Sequence, residues 1–571
     1  MERDEMKMAL GRKKAQLVFK NAIIADVFTG RFRQADVAVC GERIVGVGSF
    51  AGETEVDLTG KYLIPGLVDA HMHFESSLVS PRLFLEKILP CGTVTVIADP
   101  HEIVNVAGSR GMEYMLKETR DVPAHVHWML PSCVPANSLE TNGADFGPQQ
   151  MRRFLRDDQV FGLGEVMDVP AVLSEEPEMM EKLSLFHRRI DGHAPGVTGK
   201  PLGAYRLAGV STDHECSTFE AALERIQLGF YVQIRQGTAA RNLGAILTGA
   251  LQAGIPLDRF VFCTDDKHLD DVRREGHINA CVRRAIQLGV PPVTAIRMAT
   301  LNPAQAYGLE HQGAIAPGYL ADLVVLNSVE AMDPDQVYVG GKLVCRAGEP
   351  FTLPNRGCGL SLKRTVHLPE LTAERLRLPV HPGFPVIGIV PGEIVTRKLI
   401  LDPPEQDGYF TPVNDLLKIA VVERHGRNGH VAVGIVSGIV SGIVSGIGLR
   451  GGAIGSTIAH DSHNMILVGD NDEDMLAAAR ELQRCQGGYT LVAGGKPLLT
   501  QPLPVGGLFT NDRRQDVEKT VEQMKEMARG MGVRGDIDPF MTLSFLSLPV
   551  IPELRIIDAG IYDVTTGELV H

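Results

Sequence analysis

The chain has 571 residues, 44% hydrophobic and 22% charged, with a formal net charge of −13. That balance supports a large core and excludes a disordered chain. The acidic excess, with no dense Lys/Arg cluster, excludes a nucleic-acid binder, and no apolar run reaches the ~18 residues of a membrane span.

Residues 1–14 mix acidic and basic side chains without an apolar centre, so they do not read as a secretory leader. Residues 16–50 hold two β-branched runs, QLVFKNAIIADVFTG and ADVAVCGERIVGVG, broken by Gly and Asn. The same texture returns at 313–352 in AIAPGYLADLVVL and DQVYVGGKLVCRAGEPF. The two pieces, 1–62 together with 311–363, are expected to form one small flanking β domain. The nine cysteines are scattered singly with no CxxC pair. They read as buried or free thiols of a reducing cytoplasm.

Between the flanks, residues 63–310 alternate short apolar strands with longer amphipathic stretches, the pattern of βα units around a parallel sheet. Eight strands are expected: YLIPGLVDAH, VTVIAD, AHVHWMLP, VFGLGE, HRRIDGH, RLAGVSTDH, FYVQIRQG and RFVFCTDD. Each ends in or near a polar residue: His71, Asp99, Ser132, Glu165, His193, His214, Arg235 and Asp265. The fold class is α/β, a (β/α)8 TIM-type barrel, which places its chemistry at the C-terminal ends of its strands.

Residues 364–571 are expected to form an additional C-terminal α+β domain. It has strand-like runs FPVIGIVP and LLKIAVVE, a helix over 472–485 capped by Asn471, and a second helix over 514–531. A tandem repeat, GIVSGIVSGIVSGIG, covers 434–448; its four-residue period matches no solenoid and reads as an expanded Gly-rich strand or loop.

The sharpest local signal is His71-Met72-His73. Side chains at i and i+2 of a strand share a face, so both imidazoles can approach one cation. Alone the pattern is weak, and His125-Val126-His127 is a second copy. Glu165, His193, His214 and Asp265 close four further strands. Four His and two carboxylates at one barrel mouth would hold two divalent ions, one carboxylate bridging them, and imidazole with carboxylate suits Zn, Fe, Mn or Co. Such a pair can ionise a bridging water near neutral pH. The plainer alternative is a set of unrelated polar strand ends.

Two other signatures fail. His73-Phe74-Glu75 followed by Pro90-Cys91 lacks the second cysteine of the zinc deaminase pattern, because Val94 occupies its place. Gly162-Leu163-Gly164 is too short for a dinucleotide fingerprint.

LIPGLVDAHMH, NPAQAYGL and GAIAPGYLADLVVL resemble the amidohydrolase superfamily. The resemblance implies metal ligands at His71, His73, Glu165, His193, His214 and Asp265. The bridging position is Glu rather than carboxylated Lys, which counts against dihydroorotases, hydantoinases and ureases. HMHFESSLVSP, ADPHEIVNVAG, GLGEVMDV, DGHAPG, AHDSHN and LPVIPELRI resemble the bacterial adenine deaminase family across nearly the whole chain. That implies hydrolysis of adenine to hypoxanthine and ammonia in purine salvage, with two divalent ions per subunit, Mn or Fe ahead of Zn.

On that reading Asp265 moves the water proton to the leaving amine, and His214 both binds metal and polarises the substrate. Asp266 accepts a hydrogen bond from a purine N–H, or instead caps the helix after strand eight. Glu102 protonates N1, with His101 beside it over the mouth; the alternative for Glu102 is a solvated loop carboxylate. Glu75 is a weaker candidate of the same kind. His460-Asp461-Ser462-His463-Asn464 could reach the mouth, hold a further metal or form a hydrogen-bonded turn, and the turn is the preferred reading. Arg241, Lys267 and His268 are further candidates for the mouth. The expected partner is a small purine base, with no nucleic acid or membrane, in a cytoplasmic homodimer. Rival readings keep the fold and change the substrate to another cyclic amidine or amide, or make the chain a non-catalytic scaffold.

Overall fold

The computed structural model describes residues 3–136, 138–238, 240–354, 357–391, 394–440, 443–444 and 447–570. Eight parallel strands form the barrel: β1 (Leu67–Met72), β2 (Thr93–Ala98), β3 (His125–Leu130), β4 (Val160–Val166), β5 (Ile190–Gly192), β6 (Thr212–Asp213), β7 (Tyr231–Arg235) and β8 (Phe260–Cys263). β1 to β5 pair in chain order, as do β6 to β8. The two sheets are joined at both edges. Ser211 donates its backbone N–H to the Ile190 carbonyl at 2.9 Å, and Met72, the last residue of β1, bridges Asp265 just beyond β8. Strands β1 and β2 are buried along their whole length. This is why they read as continuous apolar runs rather than alternating ones.

The run read as one strand, YLIPGLVDAH, is two. Tyr62–Pro65 pairs with Leu323–Leu326 in the flanking sheet, and Leu67–Met72 opens the barrel. Gly66 sits between them, where a Cβ would lie 2.3 Å from a Val94 methyl. The flanking sheet has eight strands drawn from 15–65 and 323–346. Its core joins Phe19, Ile24 and Leu63 to Leu323, Val325 and Tyr338.

Among the described residues, the C-terminal part holds a nine-stranded sheet. Helix Asp472–Cys485 covers one face, burying Met475, Ala478, Ala479 and Leu482 against Ala420, Leu467 and Val492. Its Asn471 side chain accepts from the Asp474 N–H at 2.8 Å, the expected cap. The second helix runs Val517–Gly530, shorter than expected at its start, because Asp516 caps it. Within the tandem repeat, 434–440 belong to strand Val431–Val440, and Ile443–Val444 folds back on it. Residues 441–442 and 445–446 lie outside the described ones. Among the described residues, no helix is long and apolar enough to cross a membrane. Among the described residues the cysteines form no disulfide.

Candidate metal and substrate site

The C-terminal ends of the barrel strands converge on one cavity. Glu165, near the end of β4, sits at the centre. Its Oε1 lies 3.3 Å from His71 Nε2 and 2.9 Å from His73 Nε2. Its Oε2 lies 2.9 Å from His193 Nδ1 and 3.5 Å from His214 Nε2. Each carboxylate oxygen thus faces one pair of imidazoles. Asp265 Oδ1 completes the group, 3.7 Å from His71 Nε2 and 3.3 Å from His73 Nε2.

The local backbone explains the convergence. Gly164 leaves room for Asp99, whose Oδ2 would lie 2.0 Å from a Cβ there. Asp99 in turn accepts the backbone N–H of Glu165 at 2.9 Å and that of His101 at 3.0 Å. Asp69 accepts from the His71 and Thr264 backbone N–H groups, tying the ends of β1 and β8 together. Asp265 holds φ +56°, uncommon outside glycine, and such positions cluster at functional sites. His73 Nδ1 donates to the Asp99 carbonyl at 2.9 Å, which leaves Nε2 as a lone pair toward Glu165.

The donor chemistry fits a divalent cation. His71 is fully buried, and among the described residues neither of its ring nitrogens has a hydrogen-bond partner; Glu165 Oε1 also has none there. Buried polar atoms are seldom left so. Burial opposes charge on these rings, yet Asp191 and Glu165 push His71 up to about 10, and Glu215 and Glu165 push His193 up to about 9. Burial would likewise raise the Asp265 carboxyl, but His73, His214 and Arg235 hold it well below its usual range. The field in the cavity favours positive charge. Donor atoms of His71, Glu165 and His214 lie within 4.8 Å of one another, as do those of His71, His73 and Asp265.

Around this group stand the other expected residues. His101 and Glu102 begin helix His101–Ala107 and line the cavity. Glu102 is 1% exposed, so it is not a solvated loop carboxylate. Burial, with Glu75 and Asp266 nearby, raises its carboxyl well above the ordinary range. Asp266 also lines the cavity and accepts from the Ser76 hydroxyl at 2.5 Å. The following helix has His268 at its N-cap position, so Asp266 does not cap it. Glu75 does not line the cavity. It lies behind Glu102 and accepts the Ile103 N–H at 3.1 Å, bracing that helix start. Arg241, Lys267 and His268 also stay off the wall. Arg241 pairs with Asp271 and Glu275, and Lys267 donates to the Gln236 carbonyl. The second HxH copy sits at the start of β3, with His125 bonded to Asp322 at 2.9 Å, away from the mouth.

Two groups escaped the sequence analysis, and a third, at 460–464, departs from its preferred reading. Glu215 lies 3.4 Å from His214 Nε2 and pairs with Arg235 at 2.5 Å; Arg235 also reaches Asp265 at 3.2 Å. Its adjacency to His214 was the available signal. The 460–464 segment is more than a turn, because His460 and Asp461 line the cavity. His460 Nδ1 is 3.6 Å from Glu102 Oε1, and Asp461 Oδ1 is 3.5 Å from His101 Nε2. His463 accepts the Ala459 N–H at Nδ1, so its Nε2 carries the proton and faces Glu102 at 4.0 Å. The other missed group is apolar: Ile394, Phe545, Leu548 and Ile551.

The model described as "Amidohydrolase family", a metal-dependent family of hydrolases, matches residues 62–344. A second, "Adenine deaminase C-terminal domain", matches 393–568. The adenine deaminase of Desulfitobacterium hafniense (strain Y51) is 48% identical over 99% of this chain and 97% of its own length. The adenine deaminase 2 of Carboxydothermus hydrogenoformans is 43% identical over 100% of this chain and 99% of its own. This chain belongs to the adenine deaminase family. A solved β-aspartyl dipeptidase from Fervidobacterium islandicum AW-1 is 17% identical, with a TM-score of 0.45, covering 60% of this chain and 100% of that one.

Proposed function

We propose that this chain hydrolyses adenine to hypoxanthine and ammonia, in purine base salvage. His71, His73, Glu165, His193, His214 and Asp265 would hold two divalent ions, Mn or Fe. The observation that carries this reading is Glu165, whose two oxygens each face a different pair of imidazoles. When bound, such ions supply activation of water as a nucleophile near neutral pH.

The chain's own groups then manage protons. Asp265, its Oδ2 held by Arg235, accepts a proton from the attacking water and gives it to the exocyclic amine, so ammonia leaves as the C6–N bond breaks. Glu102, protonated in its buried place, donates to N1 and draws electrons from C6. The proton on the new C6 hydroxyl then restores Glu102, and the product keeps the N1 proton. Asp266 accepts from a purine N–H, with His101 alongside. General acid–base steps of this kind typically contribute about 10²- to 10⁴-fold. Cysteines that form no disulfide among the described residues fit a cytoplasmic enzyme, and a homodimer is the expected assembly.

The test is metal content and ammonia release on one purified sample, across purines and pyrimidines. Two divalent ions per chain with adenine as the preferred substrate is the expected result. A preference for a non-purine, or a folded chain that takes up no divalent ion, would overturn it.

A further inference from the structure

The barrel brings charge to the cavity but little apolar surface. Among the described lining residues, its apolar members are Met167 and Ala240. The rest of the apolar surface comes from the C-terminal domain, as Ile394, Phe545, Leu548 and Ile551. Ile394 precedes strand Thr396–Leu401, Phe545 ends helix Pro539–Phe545, and Leu548 and Ile551 lie before strand Leu554–Ile557. All four pack in one cluster with Met167 and Cys133 of the barrel. The wall is therefore core material with one face on the cavity, not a loose rim.

Behind it lies Arg555, 0% exposed. Among the described residues its guanidinium meets backbone carbonyls only. Nε donates to Ile551 at 2.6 Å, Nη1 to Phe545 at 2.8 Å, and Nη2 to Ile394 at 2.8 Å and Pro552 at 3.1 Å. Three of the four wall residues are held by their own carbonyls in one rigid fork. Burying a cation without a counter-charge is costly, and burial pushes this guanidinium down to about 9. A planar five-donor group is the side chain that can pin several carbonyls at once, which a lysine cannot do. The wall also reaches the chemistry. The Phe545 ring stacks on His460 at 4.7 Å and 29°, and His460 faces Glu102.

We infer that this wall is the surface on which the purine ring lies, and that Arg555 is a positioning residue acting through it. The inference rests on the adenine reading above. Adenine is planar and uncharged, so its edge can use hydrogen bonds but its faces need apolar contact. The charged barrel side does not supply that contact, whereas Phe545, Leu548 and Ile551 do.

The experiment is steady-state ammonia release from adenine by the metal-loaded full chain, with bound metal and thermal midpoint measured alongside. For Phe545→Ala the expected KM is about tenfold higher, with kcat lowered less than about threefold and metal content unchanged. For Phe545→Leu, which keeps apolar volume if the alanine variant does not fold, the expected rise is about threefold. Arg555→Lys retains charge but loses the fork, and its KM is expected to rise about tenfold with metal retained. A wild type that releases no ammonia from adenine overturns the functional reading and this inference with it. An active wild type, with KM within about twofold in folded Phe545→Leu and Arg555→Lys variants, overturns the inference alone.

Discussion

The barrel side of the cavity and its C-terminal wall converge by different physical means. Parallel strands share one polar end, so His71, Glu165, His193, His214 and Asp265 meet because the topology aims five strand ends at one point. The wall has no such common axis. Ile394, Phe545 and Ile551 come from separate segments and are gathered by one buried guanidinium. The difference teaches where each kind of failure would show. Damage to the donor set should remove chemistry, and damage to the wall should weaken binding.

The largest effect should come from the centre of the donor set. Glu165→Gln replaces a carboxylate facing four imidazoles with a neutral amide, a poor bridge between cations. Metal retention should fall, and turnover should drop by about a thousandfold or more, with the fold intact. Metal analysis beside circular dichroism checks this. Full activity with two retained ions would remove Glu165 from its bridging role and with it the contrast between the two walls.

Glu102 sharpens the comparison because both regions touch it. It stands on a barrel helix yet faces His460 and His463 of the C-terminal domain. Glu102→Gln keeps shape and removes the transferable proton. The expected outcome is a kcat lower by about 10²- to 10⁴-fold with metal content unchanged and KM little altered. A loss confined to KM would instead assign Glu102 to substrate binding, alongside Phe545.

The same contrast explains what the sequence could reveal. The proposed donors were legible because each stands at or just past the end of a barrel strand, and His71 and His73 keep a strand's two-residue period. Most of the barrel's strands were legible because their runs are largely buried, whereas RLAGVSTDH holds only the two-residue strand Thr212–Asp213. The strand break at Gly66 was hidden, because LIPGLV is apolar on either side of it and the glycine is required by the approach of Val94 and Asp322, distant in sequence. The spacing of the 460–464 segment does not decide between a turn and the mouth, because nothing in it says that the segment packs over His101 and Glu102. Arg555 was less visible still: its partners are backbone carbonyls, which have no sequence signature. Glu75 misled in the other direction, because proximity to His73 in sequence put it beneath the mouth rather than on it.

The smallest expected effect tests whether the wall is a local device or the whole C-terminal domain acts as one unit. Asn471 lies in that domain and outside the cavity lining, capping helix Asp472–Cys485 by accepting the Asp474 N–H at 2.8 Å and donating to the Asp474 carboxylate at 2.7 Å. Asn471→Ala should cost about 1 kcal/mol, read as a lower denaturant midpoint, with KM and kcat for adenine unchanged. The reason is mechanical: the Arg555 fork fixes Ile394, Phe545 and Ile551 to one another, so a weakened cap on a distant helix need not move them. A raised KM in this variant would mean that the wall takes its position from the sheet and helix as a whole, and that the fork merely follows.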